Sequence, residues 1–220
     1  MDGVALVDHA LARVEPVADR VAVNVHHGRD QMERHLDGRV HLSIESDLAL
    51  GTAGGVAFLR PWLDGDDVLV VNGDTWCQAD LVPFCDGWDR ERVRVVVQGA
   101  PGPATLGPRS RIVASLLPWR IASGLEATPS GLYEVCWAPQ LAAGRLDVVG
   151  SDSPLVDCAT PADYLAANMS ASGGRSVVGN GAVVLGTLER SVVWPGATVH
   201  AGEALVDTIR ASDDLTVVVR

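Results

Sequence analysis

Apolar residues at Val4, Leu6, Val7, Ala10, Leu11 and Val14 recur at helical spacing. They predict an opening helix that Pro16 stops. Val21–Val25 then reads as a short buried strand, Gly28–Leu36 as a polar helix and Val40–Ile44 as a second strand. After the small-residue turn Gly51-Thr52-Ala53-Gly54-Gly55, a helix through Ala57, Phe58 and Leu59 is expected to end at Pro61. Asp67–Val71 is the clearest strand, and Asn72-Gly73-Asp74 breaks it at once. Further strands are expected over Val93–Val97, Arg111–Leu116 and Gly131–Val135, with the proline- and glycine-rich segment 99–110 as a loop. Thr160-Pro161, an N-cap followed by proline at the first helical position, predicts a helix over Pro161–Asn168.

Strand and helix alternate with short links, and strands such as Val68–Val71 are apolar throughout. This pattern predicts an α/β fold around a mostly parallel, doubly wound sheet of Rossmann-like type, buried on both faces. Such sheets bind ligands beyond the carboxyl ends of their strands, where Asn72-Gly73-Asp74 lies. From Ser176 the pattern changes. Val178 and Val184 are six apart, as are Val193, Val199 and Leu205, with Gly179, Gly186, Gly196 and Gly202 interspersed. This predicts about two coils of a short left-handed, hexapeptide-type β-helix. The expected organisation is an α/β domain over 1–170 and a β-helical tail over 176–220. A stub of this size buries little alone, so it is expected to dock on the main domain or on a second copy, as in a homo-oligomer.

Of the 220 residues 47% are hydrophobic, which excludes wholesale disorder. No apolar run approaches the roughly 20 residues needed to cross a bilayer, and the start lacks a secretory pattern, so the expectation is a cytoplasmic protein with no membrane partner. The net charge of −11 argues against binding to nucleic acid. All 17 basic residues are arginine, so Schiff-base chemistry on lysine is impossible. Cys77, Cys85, Cys136 and Cys158 show no metal-binding or redox spacing and read as reduced thiols. His26 and His27, adjacent at a strand end, point to opposite faces and cannot easily share an ion. Trp76 and Trp119 are candidates for lining a ligand pocket, although core packing is the default for each.

Three segments carry candidate chemistry. Leu50–Gly55 is a glycine-rich turn opening a helix, where backbone can approach a ligand closely. In Val70-Val71-Asn72-Gly73-Asp74, a carboxylate just past a buried strand suits a hard cation such as Mg²⁺. In Leu155-Val156-Asp157-Cys158-Ala159-Thr160-Pro161, a second carboxylate follows an apolar pair and precedes a capped helix. Asp163 is expected in that helix's first turn, where the macrodipole favours it.

In this order, "GTAGG", "VVNGD" and "VDCATPADYLAAN", with the opening Asp2–Ala10 helix and the tail, resemble the sugar-1-phosphate nucleotidylyltransferases. The likeness is greatest to mannose-1-phosphate guanylyltransferases and N-acetylmuramate-1-phosphate uridylyltransferases. It implies transfer of a nucleoside monophosphate from an NTP to a sugar-1-phosphate, giving an NDP-sugar and pyrophosphate. By this resemblance Asp74 and Asp157 hold Mg²⁺, Gly51, Thr52 and Gly54 lie against base and ribose, and Asn72, Glu126 and Gly131 face the sugar. Family members carry a glycine- and arginine-rich phosphate loop ahead of this point, and no such loop occurs in this chain. That departure leaves catalytic residues unassigned. It sets two readings side by side, an enzyme whose loop lies upstream or a non-catalytic nucleotide-sugar-binding or regulatory subunit. A hexapeptide-repeat acyltransferase is a weaker alternative, since only His200 stands in the tail to act.

Overall fold

The computed structural model describes Met1, residues 3–102 and residues 106–219; Asp2, Arg220 and positions 103–105 of the expected loop lie outside the described residues. The chain divides into two compact units. The larger comprises Leu11–Asn72 and Ala79–Ser153, the smaller Met1–Ala10, Gly73–Gln78 and Pro154–Arg220. The opening helix, Leu6–Val14, contributes to both.

In the larger unit the four-stranded sheet runs in the order Val68–Val70, Ile112–Leu117, Val93–Gln98, Leu146–Ser151. The first two pairings are antiparallel and the third is parallel. The expectation of a mostly parallel sheet is corrected here: the sheet is mixed. The segment between Val93–Gln98 and Ile112–Leu117 contains no crossover helix among its described residues, so these neighbours pair antiparallel. The parallel pair instead encloses the helical stretch between Leu117 and Leu146. Ala22–Val25 and His41–Ile44 form a separate parallel pair joined through the helix Arg29–Leu36. Val93, Val95, Val96 and Val97 are all at most 1% exposed, which accounts for a strand apolar on both faces.

Two other local expectations are corrected. Gly131–Val135 is not a strand; Tyr133–Trp137 is a turn of π-helix running into the helix Ala138–Ala142. Leu132, Cys136 and Trp137 are buried together in the core with Ala53, Val56 and Leu146. In a strand the adjacent residues Cys136 and Trp137 would face opposite sides, whereas both fall one turn after Leu132 on the same side of this helical stretch. Pro61 does not end the helical segment: after the helix Gly51–Phe58, it occupies the first turn of a further helix, Arg60–Leu63, where its missing N–H is harmless.

In the smaller unit Thr75–Cys77 pairs antiparallel with Leu155–Asp157. The helix Pro161–Ser172 follows, opened by a reciprocal capping box between Thr160 and Asp163 and closed by Gly173 in left-handed conformation. After Ser176 most strands pair in parallel, Val177–Val178 with Val192–Val193, Val183–Val184 with Thr198–Val199, and Thr187–Glu189 with Ala204–Val206, whereas Thr208–Ser212 and Leu215–Val218 pair antiparallel. Val193, Val199 and Leu205, the six-residue series, share one buried cluster. Leu165 of the helix packs with Val177, Val192 and Ile209, so this segment covers its apolar face against the helix of its own unit.

Candidate functional site

The smaller unit holds the two aspartates. Its antiparallel ladder sets Thr75 opposite Asp157. It extends one step further through the Cys158 N–H, which donates to the Asp74 carbonyl at 3.2 Å. Asp74 and Asp157 therefore stand at the same end of one strand pair, and both side chains are exposed. Directly after Asp157 comes a half-buried thiol, Cys158. Burial raises its pKa first, and Asp157, Asp163 and Asp74 each raise it further, while a hydrogen bond from the Trp76 backbone opposes them. Three carboxylates thus act on one point. Asp163 serves the helix cap through Thr160, and Asp74 and Asp157 are the exposed carboxylates at this end of the strand pair. Among the described residues no group of three or more His, Cys, Asp or Glu could hold a metal. Two hard, exposed carboxylates fit Mg²⁺ only with the remaining oxygens supplied by substrate phosphates and water, which is the coordination that ion favours.

The other candidates gather around residues 128–132 of the larger unit. Ser130 donates its N–H to the Leu50 carbonyl at 3.0 Å, and its own carbonyl accepts the Ala53 N–H at 3.1 Å. The Leu132 N–H donates to Thr52 Oγ1 at 3.2 Å. A Cβ on Gly51, which has φ +67°, would come within 2.6 Å of the Ser130 carbonyl oxygen. One on Gly54 would come within 2.4 Å of that of Thr128. The close approach these glycines permit is thus by the chain's own loop. Thr52 and Asn72 line one small cavity of about 10 Å³ with Leu132, Ser115 and Trp137. Ser115 Oγ and Trp137 Nε1 have no hydrogen-bond partner there. Glu126, exposed, lines a larger pocket of about 290 Å³ with Thr128, Ser130 and Val135. Gly131 stands directly before the helical turn, beside the Glu134 carboxylate. Trp76, only 2% exposed, belongs to the core with Met1 and Ala167, and Trp119 packs on the main core.

A scan of protein-family models gives no match to this sequence, and a search of curated proteins gives none either. Solved structures do match. A mannose-1-phosphate geranyltransferase from Thermus thermophilus superposes with a TM-score of 0.67 at 17% identity, over 100% of this chain and 86% of that one. A putative glucose-1-phosphate thymidylyltransferase from Bacillus anthracis gives 0.61 at 15% identity, over 76% and 82% of the two chains. The inositol-1-phosphate CTP transferase from T. maritima gives 0.59 at 16% identity, over 74% and 80%.

The fold is the one these three structures share.

Within this fold, two features escape the sequence pattern. The strand Thr75–Cys77 is too short to signal itself, yet its pairing with Leu155–Asp157 is what aligns the two aspartates. Glu45, a carboxylate 5% exposed just past a strand, carries no motif; its only sequence signal is an acid placed five residues ahead of Leu50. The remaining cysteines form no disulfide among the described residues, and burial pushes the Cys136 thiol up to about 11. The His26 Nδ1–H donates to the Glu45 carbonyl at 2.8 Å, a structural use of that ring. No helix among the described residues is long and apolar enough to cross a membrane.

Proposed function

We propose that this chain transfers a nucleoside monophosphate from an NTP to a sugar-1-phosphate. A phosphate oxygen of the sugar-1-phosphate attacks the α-phosphorus, the new P–O bond forms as the α–β bridging bond breaks, and pyrophosphate leaves with the electron pair. The observation that carries this reading is the exposed pair Asp74 and Asp157, held at one end of a strand pair in a nucleotidyltransferase fold. The similar structures named for sugar-1-phosphate substrates and nucleotidyl transfer support the substrate class.

In this reading Asp74 and Asp157 bind Mg²⁺, which when present neutralises phosphate charge and stabilises the leaving pyrophosphate. Gly51, Thr52 and Gly54 lie along base and ribose, where the Thr52 hydroxyl, already accepting from Leu132, has its own hydrogen to donate. Asn72, Gly131 and Glu126 serve the sugar. Such a reaction draws on alignment and charge neutralisation more than on covalent catalysis. We further read residues 1–170 as the nucleotidyltransferase domain. Residues 176–220 form a short left-handed β-helix in this reading, through which two copies pair, and the protein is cytoplasmic.

The absence of lysine anywhere in the chain supports a second reading, a subunit that binds nucleotide-sugar without turnover. One assay separates them. Pyrophosphate release is measured across a panel of NTPs and sugar-1-phosphates with Mg²⁺, alongside calorimetry with NDP-sugars. The first reading predicts release with one pair, falling at least about a hundredfold in Asp74→Asn and Asp157→Asn, in line with loss of electrostatic stabilisation. Binding without release selects the second reading, and neither binding nor release overturns both.

A further inference from the structure

We propose that Glu45 is a positioning residue that fixes the nucleotide turn without touching the ligand. The proposal rests on the functional reading above and deepens it. Glu45 follows the strand His41–Ile44 and is 5% exposed, an unusual place for a charge. Its carboxylate is satisfied by two donors from different elements. Oε2 accepts the Leu50 N–H at 2.8 Å, at the start of the helix Gly51–Phe58. Oε1 accepts the Asn24 side-chain amide at 3.1 Å, from the neighbouring strand Ala22–Val25. The Glu45 carbonyl is held in turn by His26. Gly55 completes the arrangement, since a Cβ there would lie 3.1 Å from Glu45 Oε1 and 3.2 Å from Asn24 Nδ2.

Glu45 ties the helix start to the strand pair from one side, while Ser130 ties it to the loop from the other, so Thr52 is held at both flanks. With both carboxylate oxygens engaged by the turn and the strand, Glu45 acts on a bound nucleotide through the placement of this turn.

The test uses Glu45→Ala, Asn24→Ala and the exchanged pair Asn24→Asp/Glu45→Gln. In that pair, the introduced amide can accept from the Leu50 N–H and donate to the introduced carboxylate on the neighbouring strand. Both bonds are then restored without the charge at position 45. Amide hydrogen exchange over residues 50–55 reads the anchor directly. Calorimetry with a non-hydrolysable NTP analogue, and separately with a sugar-1-phosphate, reads its use. Glu45→Ala is expected to speed exchange in that segment and weaken the NTP analogue about tenfold or more, with sugar-1-phosphate affinity within about twofold. The exchanged pair is expected to slow exchange again and recover most of the nucleotide affinity. Unchanged exchange overturns the proposal, and so does a parallel loss of both ligands in a folded variant. Should Glu45→Ala fail to fold, Asn24→Ala removes one of the two carboxylate partners and carries the same expectations in weaker form. If the unaltered protein binds neither ligand, the functional reading fails, and the exchange measurement still decides whether Glu45 is the anchor.

Discussion

Gly54 offers a sharp trial of the packing around the glycine turn, because two opposing effects can be weighed. It lies inside the helix Gly51–Phe58, where alanine is intrinsically better by about 1 kcal/mol. A Cβ there, however, would stand 2.4 Å from the Thr128 carbonyl oxygen and 2.9 Å from the Leu50 Cβ. The first of these is backbone and cannot rotate aside. Forcing a methyl into such a site costs about 1–3 kcal/mol, and the upper end applies because loop 128–130 is itself hydrogen-bonded to the turn. Sterics win. Gly54→Ala is expected to lower stability by about 1–2 kcal/mol, or roughly 2–8 °C in Tm for a chain of this size. Urea unfolding followed by tryptophan fluorescence measures it. Gly107→Ala is the matched control, since a Cβ there meets nothing within 4 Å, and it is expected to stay within about 0.5 kcal/mol. A Gly54→Ala protein as stable as the unaltered chain, or more so, would refute the close apposition of loop and helix.

Other consequences can be checked alongside. Leu165→Ala removes a side chain 5% exposed in the cluster with Val177, Val192 and Ile209 and should cost about 2–4 kcal/mol in denaturant unfolding. Thr160→Ala, which breaks the capping box, should cost about 1 kcal/mol by the same measurement. Asp207 is held below the ordinary carboxylate range by hydrogen bonds from Arg190, and Glu203 by its bond from Arg210. Because both pKa values are lower in the folded state, their stabilisation is complete above the unfolded values and lost as pH falls through the folded ones. The Tm difference between the unaltered protein and Asp207→Asn/Glu203→Gln should therefore be present at neutral pH and close below about pH 4. A difference independent of pH would contradict the two ion pairs.

Periodicity made the long elements legible. The helix Leu6–Val14, the strand Val93–Gln98 and the capped helix from Pro161 each declare themselves through spacing or a cap residue. Direction and pairing were not legible, because a strand's own residues do not state which neighbour it joins. The mixed sheet, and the parallel partner Leu146–Ser151, emerge only from tertiary contacts. Gly131–Val135 misled because a short apolar stretch suits strand and helix alike, and burial of Leu132, Cys136 and Trp137 decides between them. At the candidate site, the motifs singled out the aspartates and glycines but carried no sign of the loop that packs on those glycines. Thr128 and Ser130 crowd them, and those contacts bridge segments far apart in the chain. Glu45 illustrates the limit most plainly: its burial, not its identity or spacing, marks it.

The central claim is that Asp74 and Asp157 jointly hold a divalent cation against a phosphate-bearing ligand. Electron paramagnetic resonance of Mn²⁺, titrated into the protein in the presence of an NDP-sugar, tests it most directly. The account predicts ligand-dependent binding of one ion per chain, abolished in both Asp74→Asn and Asp157→Asn while the fold is retained. Stoichiometric Mn²⁺ binding that survives the loss of both carboxylates would contradict it.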